Sequence, residues 1–201
     1  MRKGSVAFGG MIVGLVLLII AFIGPWYTMN GSGTLGVNYH VEFYLDHVEA
    51  KGSVAGQMIA WSSGYAEAQE NAQNVGVNTQ SFTIIETARS LSLFAIATGV
   101  LALIGMAAFV FGFGTPRIMK YFGGGFAIIT FVLALVPAVY VMTTGFSENS
   151  TQFWFSQTVL GVTIAGGPGY SWYLMIVVAV IAVVCGVAFL LKKVSAEVQS
   201  K

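Results

Sequence analysis

Four long stretches of the chain are apolar without interruption: Gly4 to Trp26, Ser90 to Phe113, Tyr121 to Thr143 and Ser171 to Leu191 contain no Asp, Glu, Lys, Arg or His. The hydrocarbon core of a bilayer is about 30 Å thick, and a helix needs about 20 apolar residues to cross it. Every stretch reaches that length, so the pattern predicts four membrane-spanning helices at about 4–26, 90–113, 121–143 and 171–191. Arg2 and Lys3 precede the first, as they would in a signal peptide. The run is longer than the roughly 7–15 residues of a signal core and lacks a clear small-residue cleavage site, so it is read as a retained span.

The segments between the spans have patterns of their own. In the long segment 27–89, Tyr39 to Val48 alternates, with Tyr39, Val41, Phe43 and Leu45 on one face and His40, Glu42, Tyr44 and Asp46 on the other. That period of two predicts a strand. Gly31 to Gly36 and Lys51 to Gly56 carry turn chemistry on either side. Trp61, Tyr65, Ala68 and Ala72 recur every three to four residues and predict a short amphipathic helix over Ala60 to Gln73, followed by an extended stretch from Val75 to Ile85. The second segment, 144–170, holds Phe153, Trp154 and Phe155, an apolar run from Val159 to Ile164, and Gly166-Gly167-Pro168-Gly169. The expected fold is an all-α membrane protein, a four-transmembrane-helix bundle with a small extracellular β-sheet, in a single membrane domain over 1–201.

Composition sharpens this picture. Hydrophobic residues make up 56% of the chain and charged ones 8%, against about 25% charged in water-soluble domains. Membrane lipid is therefore the main solvent. The few charges are segregated: Arg2, Lys3, Arg117, Lys120, Lys192, Lys193 and Lys201 fall at the amino terminus, the Gly114 to Lys120 turn and the tail. The positive-inside rule puts those places, and both termini, in the cytoplasm, most simply of a plasma membrane. Glu42, Asp46, Glu49, Glu67, Glu70, Glu86 and Glu148 then lie outside, as do the sequons at Asn30 and Asn149. No basic patch is large enough for nucleic acid.

Chemistry is sparse. The single cysteine, Cys185, excludes an intramolecular disulfide and a multi-cysteine metal centre. No span holds a His, and scattered Met11, Met106, Met142 and Met175 read as packing or lipid contact, so no cofactor, metal or catalytic residue is expected. His40, Glu42, Asp46 and His47 are the one constellation resembling a metal site; on one strand His47 would point away from the others, and a solvated polar face outweighs it. Gly123-Gly124-Gly125 lacks the Lys-Ser/Thr of a phosphate loop and fits close helix contact. Gly10 and Gly14, Ala95 and Gly99, and Ala182 and Gly186 place small residues four apart, which serves packing within the bundle or lateral self-association. Phe153, Trp154 and Phe155 suit either a headgroup-level aromatic belt or an extracellular contact. Pro137, between Ala134 and Ala138, is expected to kink the third span.

Several short motifs are similar to the claudin and peripheral-myelin-protein group of four-span proteins. Pro25-Trp26 resembles the Pro-x-Trp with which claudins leave their first span, without the intervening residue. Ala88-Arg89-Ser90-Leu91 and Gly99 to Leu103 resemble the family's second span, Lys120 with Gly123 to Phe126 its third, and Gly169 to Trp172 the Gly-Trp before its fourth. The resemblance implies cytoplasmic termini and an outer sheet. The Gly-Leu-Trp motif, the paired loop cysteines and the terminal Tyr-Val of claudins are absent, so junction membership and ion selectivity are not implied. Two functions fit: a non-catalytic protein acting through lateral or cell-to-cell association, as a homo-oligomer, or an accessory subunit of a larger membrane enzyme or transporter complex.

Overall fold

The computed structural model describes residues 3–33, 36–54, 56–74, 80–144, 153–159 and 161–192. In chain order the elements are α1 (Lys3–Ile23), β1 (Tyr27–Gly33), β2 (Asn38–Phe43), β3 (His47–Val54), β4 (Gln57–Gly64), α2 (Tyr65–Asn74), α3 (Gln80–Phe111), α4 (Pro116–Thr144), β5 (Phe155–Val159), β6 (Val162–Pro168) and α5 (Tyr170–Leu190). Helices α1, α3, α4 and α5 are long and apolar enough to cross a membrane, which makes this an integral membrane protein. Their outward residues, such as Val6, Phe94, Ile104 and Val184, are large, apolar and exposed, as lipid-facing positions are.

The chain divides into two compact units, residues 1–19, 91–136 and 174–201 in one, and residues 20–90 and 137–173 in the other. In the first, Ala7, Met11, Ala102, Met106, Ala127, Ala182, Cys185 and Phe189 form a buried core. Small residues set its closest approaches. A β-carbon at Gly105 would sit 2.6 Å from the Gly123 nitrogen, so the α3 and α4 backbones touch there and nothing larger than hydrogen fits. Thr130 Oγ1 lies 2.8 Å from the Phe126 carbonyl and 3.1 Å from Thr98 Oγ1, a polar link from α4 to α3.

In the second unit, the strands form one antiparallel sheet in the order β4-β3-β2-β1-β6-β5. The sheet is larger than expected, because 153–168 supplies a hairpin whose β6 pairs with β1, Tyr27 opposite Pro168. The single strand expected over Tyr39 to Val48 is a hairpin: Tyr44 N bonds the His47 carbonyl at 3.0 Å, closing a turn through Leu45 and Asp46. Leu45 is buried in that turn rather than carrying the strand onward. Ala60 to Gly64 belongs to β4, and the helix starts at Tyr65, where Ser63 Oγ donates to Glu67 at 3.1 Å.

Two boundaries also move. Residues 80–85, expected to be extended, open α3: Ile84, Ile85 and Ala88 are buried at helical spacing while Glu86, Thr87 and Arg89 are exposed, so an amphipathic helix satisfies them. Arg117 and Lys120 lie in the first turns of α4, not in a turn between spans. Gly112, in the left-handed region at φ 81°, stops α3, and Thr115 precedes Pro116 at the start of α4. Helix α4 continues through Pro137, with Ala134 and Ala138 fully packed.

Candidate functional site

The polar face of the sheet is built by alternation. Glu42 on β2 stands opposite Glu49 on β3, and His40 opposite Lys51, so these side chains share a face. The hairpin brings His47 to this face as well, which corrects the expectation that it points away: the intervening turn resets the alternation. His40 Nδ1 lies 2.6 Å from Asn30 Oδ1 and its Nε2 3.5 Å from Glu42. His47 Nδ1 lies 2.7 Å from Asp46 and its Nε2 3.5 Å from Glu49, whose other oxygen accepts from Lys51 at 3.1 Å. Hydrogen bonding from Lys51, foremost, holds the Glu49 carboxyl below its ordinary range. Tyr44 donates to Glu42 at 3.1 Å and stacks on His47 with centroids 4.4 Å apart. Burial, aided by Glu42, pushes the Tyr44 phenol up to about 12. Each imidazole nitrogen thus has a protein neighbour, and no group of three ligands able to hold a metal occurs among the described residues.

The aromatic residues of the second segment divide. Phe153 is buried: its carbonyl accepts from Tyr27 at 3.0 Å, and its ring packs on Tyr27, Trp154 and Trp172. It is part of the interior, not a contact surface. Trp154 is 51% exposed and remains available, and Phe155 lies half-buried in β5 against Gly166. Trp172 Nε1 donates to the Ala138 carbonyl and Trp26 Nε1 to the Ala21 carbonyl, both at 2.8 Å, so these indoles tie helix ends rather than face a ligand. Asn30 is exposed on β1 with its amide oxygen taken by His40; Asn149 lies outside the described residues.

The small residues of the spans meet partners in the same chain. A β-carbon at Gly10 would lie 2.6 Å from Cys185 Sγ, one at Gly14 3.1 Å from Ile181, one at Gly99 3.2 Å from Leu15, and one at Gly186 3.1 Å from Ala127. Ala95 and Ala182 are buried. These positions pack against neighbours in the same chain. Gly123 and Gly124 likewise face α3 and α5, whereas Gly125 meets nothing within 4 Å.

The feature that sequence reasoning missed is β4. It ends the sheet among the described residues, and Gln57 to Ser62 are all exposed, so both its faces and its outer edge are open. Met58 is 92% exposed, Ile59 53% and Trp61 49%. Helical spacing from Trp61 to Ala72 hid it; the signal for a strand was Gly56, a turn residue at φ 82°, followed by an apolar run and Ser62-Ser63-Gly64. No protein-family model matches the sequence, and no curated protein matches it.

Proposed function

We propose that this is a non-catalytic four-span membrane protein of claudin-like arrangement that works by binding protein through its outer sheet. In this reading both termini lie in the cytoplasm of a plasma membrane, and the sheet faces outward. The clustering of basic residues at the chain ends and at the start of α4 supports that orientation. The order span, four strands, short helix, span, span, hairpin, span supports the distant kinship.

The observation that carries the reading is β4. Soluble and membrane proteins alike protect sheet edges with charge, proline or a bulge, because an open edge recruits another chain. Strand β4 has no charged residue and no proline, and shows Met58, Ile59 and Trp61 to solvent. Gly14, Gly99 and Gly186 already pack inside the chain, which favours the sheet over these helix positions as the place of association.

Lys51, beside β4 on β3, gives the test. It is the only lysine in segments 27–89 and 144–170. A membrane-impermeant, amine-reactive cross-linker applied to intact cells should label Lys51 alone and join the chain to a protein neighbour, and Lys51→Arg should abolish both. Labelling of Lys120 or Lys192 in sealed cells would overturn the orientation. Labelled but uncoupled chains would overturn the association. Coupling at fixed stoichiometry to a larger membrane enzyme or transporter would make the chain an accessory subunit.

A further inference from the structure

We infer that Trp154, Tyr170 and Tyr173 rest in the phospholipid headgroup layer and fix the depth of the β5–β6 hairpin against the bilayer. Lipid is the partner here, distinct from the protein partner proposed above, and the contact holds whichever side of the membrane the sheet occupies. In α5, Tyr170, Tyr173, Val177, Val180 and Val184 recur at spacings of three and four and are all exposed, so they form one stripe of that helix. The valines belong to a membrane span, where an exposed apolar side chain faces lipid. The tyrosines, 54% and 50% exposed, carry the same stripe into the first turn, where the span leaves the hydrocarbon. A phenol suits that boundary, because its ring displaces water from lipid while its hydroxyl reaches the wet headgroups.

Neighbouring side chains extend the same boundary. The Tyr170 hydroxyl lies across Gly24, where a β-carbon would collide with it, next to exposed Ile23 at the end of α1. Trp172, between the two tyrosines, is buried and its indole is a common wall: Tyr173 packs edge-on against it with centroids 5.1 Å apart, and Trp154 edge-on at 6.0 Å. Trp154 therefore stands beside the first turn of α5, and sharing a wall with lipid-facing Tyr173 favours lipid over protein as what covers it. The backbone holds this arrangement to the sheet. Gly169 alone separates β6 from α5; its N–H donates to the Trp26 carbonyl at 2.9 Å, and that of Ser171 to the Pro25 carbonyl at 3.2 Å. Trp61 is the contrast. It is nearly as exposed as Trp154, but it lies on β4, which β3, β2 and β1 separate from β6.

Tryptophan fluorescence of the full chain, reconstituted in phosphatidylcholine vesicles, tests the contact. Lipid brominated near the headgroup end of its acyl chains quenches indoles in the upper bilayer, and iodide in the buffer quenches indoles in water. Trp154→Phe, a conservative change at an exposed position, should remove the largest share of the emission quenched by the shallow bromine, whereas Trp61→Phe should leave that share unchanged. In the Trp154→Phe background, Tyr173→Trp should restore quenching by the shallow bromine. Val180→Trp, about 10 Å further along α5, should respond more to bromine deep in the chain. Emission of Trp154 quenched by iodide alone would place it in water, and emission reached by neither quencher would place it under protein; either result overturns the inference. So would a Tyr173→Trp signal as deep as that of Val180→Trp. None of these readings involves β4, so a chain that fails to associate through the sheet would leave them standing.

Discussion

Single glycines carry much of the bundle. At Gly123 a methyl group would meet the Met106 nitrogen at 2.7 Å, and backbone cannot step aside as a flexible side chain can. Gly123→Ala should therefore destabilise the folded chain by roughly 1–3 kcal/mol, read as a lower midpoint of thermal unfolding in detergent. Gly125→Ala, with nothing within 4 Å, should leave that midpoint unchanged or raise it. An equal effect at both positions would remove the close-contact account. Tyr27 is the corresponding residue in the sheet. Its phenol is buried, donates to the Phe153 carbonyl, and is pushed up to about 12 from an ordinary 10.0 by burial. Between those values the folded form holds a proton that the unfolded form has released, so stability falls as pH rises from 10.0 towards about 12. The denaturant needed to lose the sheet signal should fall across that window, and Tyr27→Phe should reduce this pH dependence, leaving the share of Tyr44, which burial also raises, at a cost of about 1–2 kcal/mol for the stranded carbonyl.

At the scale of elements, the spans are legible because hydropathy summed over about 20 residues is insensitive to any one side chain. The start and stop of each helix depend on local chemistry instead. Gly112, at φ 81°, ends α3; Gly112→Ala should cost about 1 kcal/mol, measurable by the same thermal midpoint, because a β-carbon opposes that conformation. The stretch Val75 to Ile85, with Val75, Val77, Thr79, Thr83, Ile84 and Ile85 β-branched, looked extended, and tertiary burial of Ile84, Ile85 and Ala88 goes with a helix from Gln80 onward. Strand β6 was hidden for the opposite reason: Gly166-Gly167-Pro168 has turn composition. There Gly166 lies under the Phe155 ring and Gly31 under the Tyr39 ring, so glycine marks close approach in the sheet rather than a loop. The polar face around His40 and Glu42 was readable from alternation, but the partner of each group was not. Register is a long-range property, and one unrecognised turn at Leu45-Asp46 changed the side on which His47 stands.

For the whole molecule, the outward faces of the four long helices are apolar, and among the described residues strand β4 is the exposed, uncharged end of the sheet, which the proposed function uses for protein partners. A charge on that strand should act on assembly alone: Trp61→Lys should leave thermal stability near wild type, since Trp61 is 49% exposed, while reducing particle size. The most direct measurement is the mass of the intact particle released from native membranes in gentle detergent. The account predicts a particle that holds protein beyond one 21.3 kDa chain, lost on Trp61→Lys. A single 21.3 kDa chain surrounded only by lipid and detergent would contradict it.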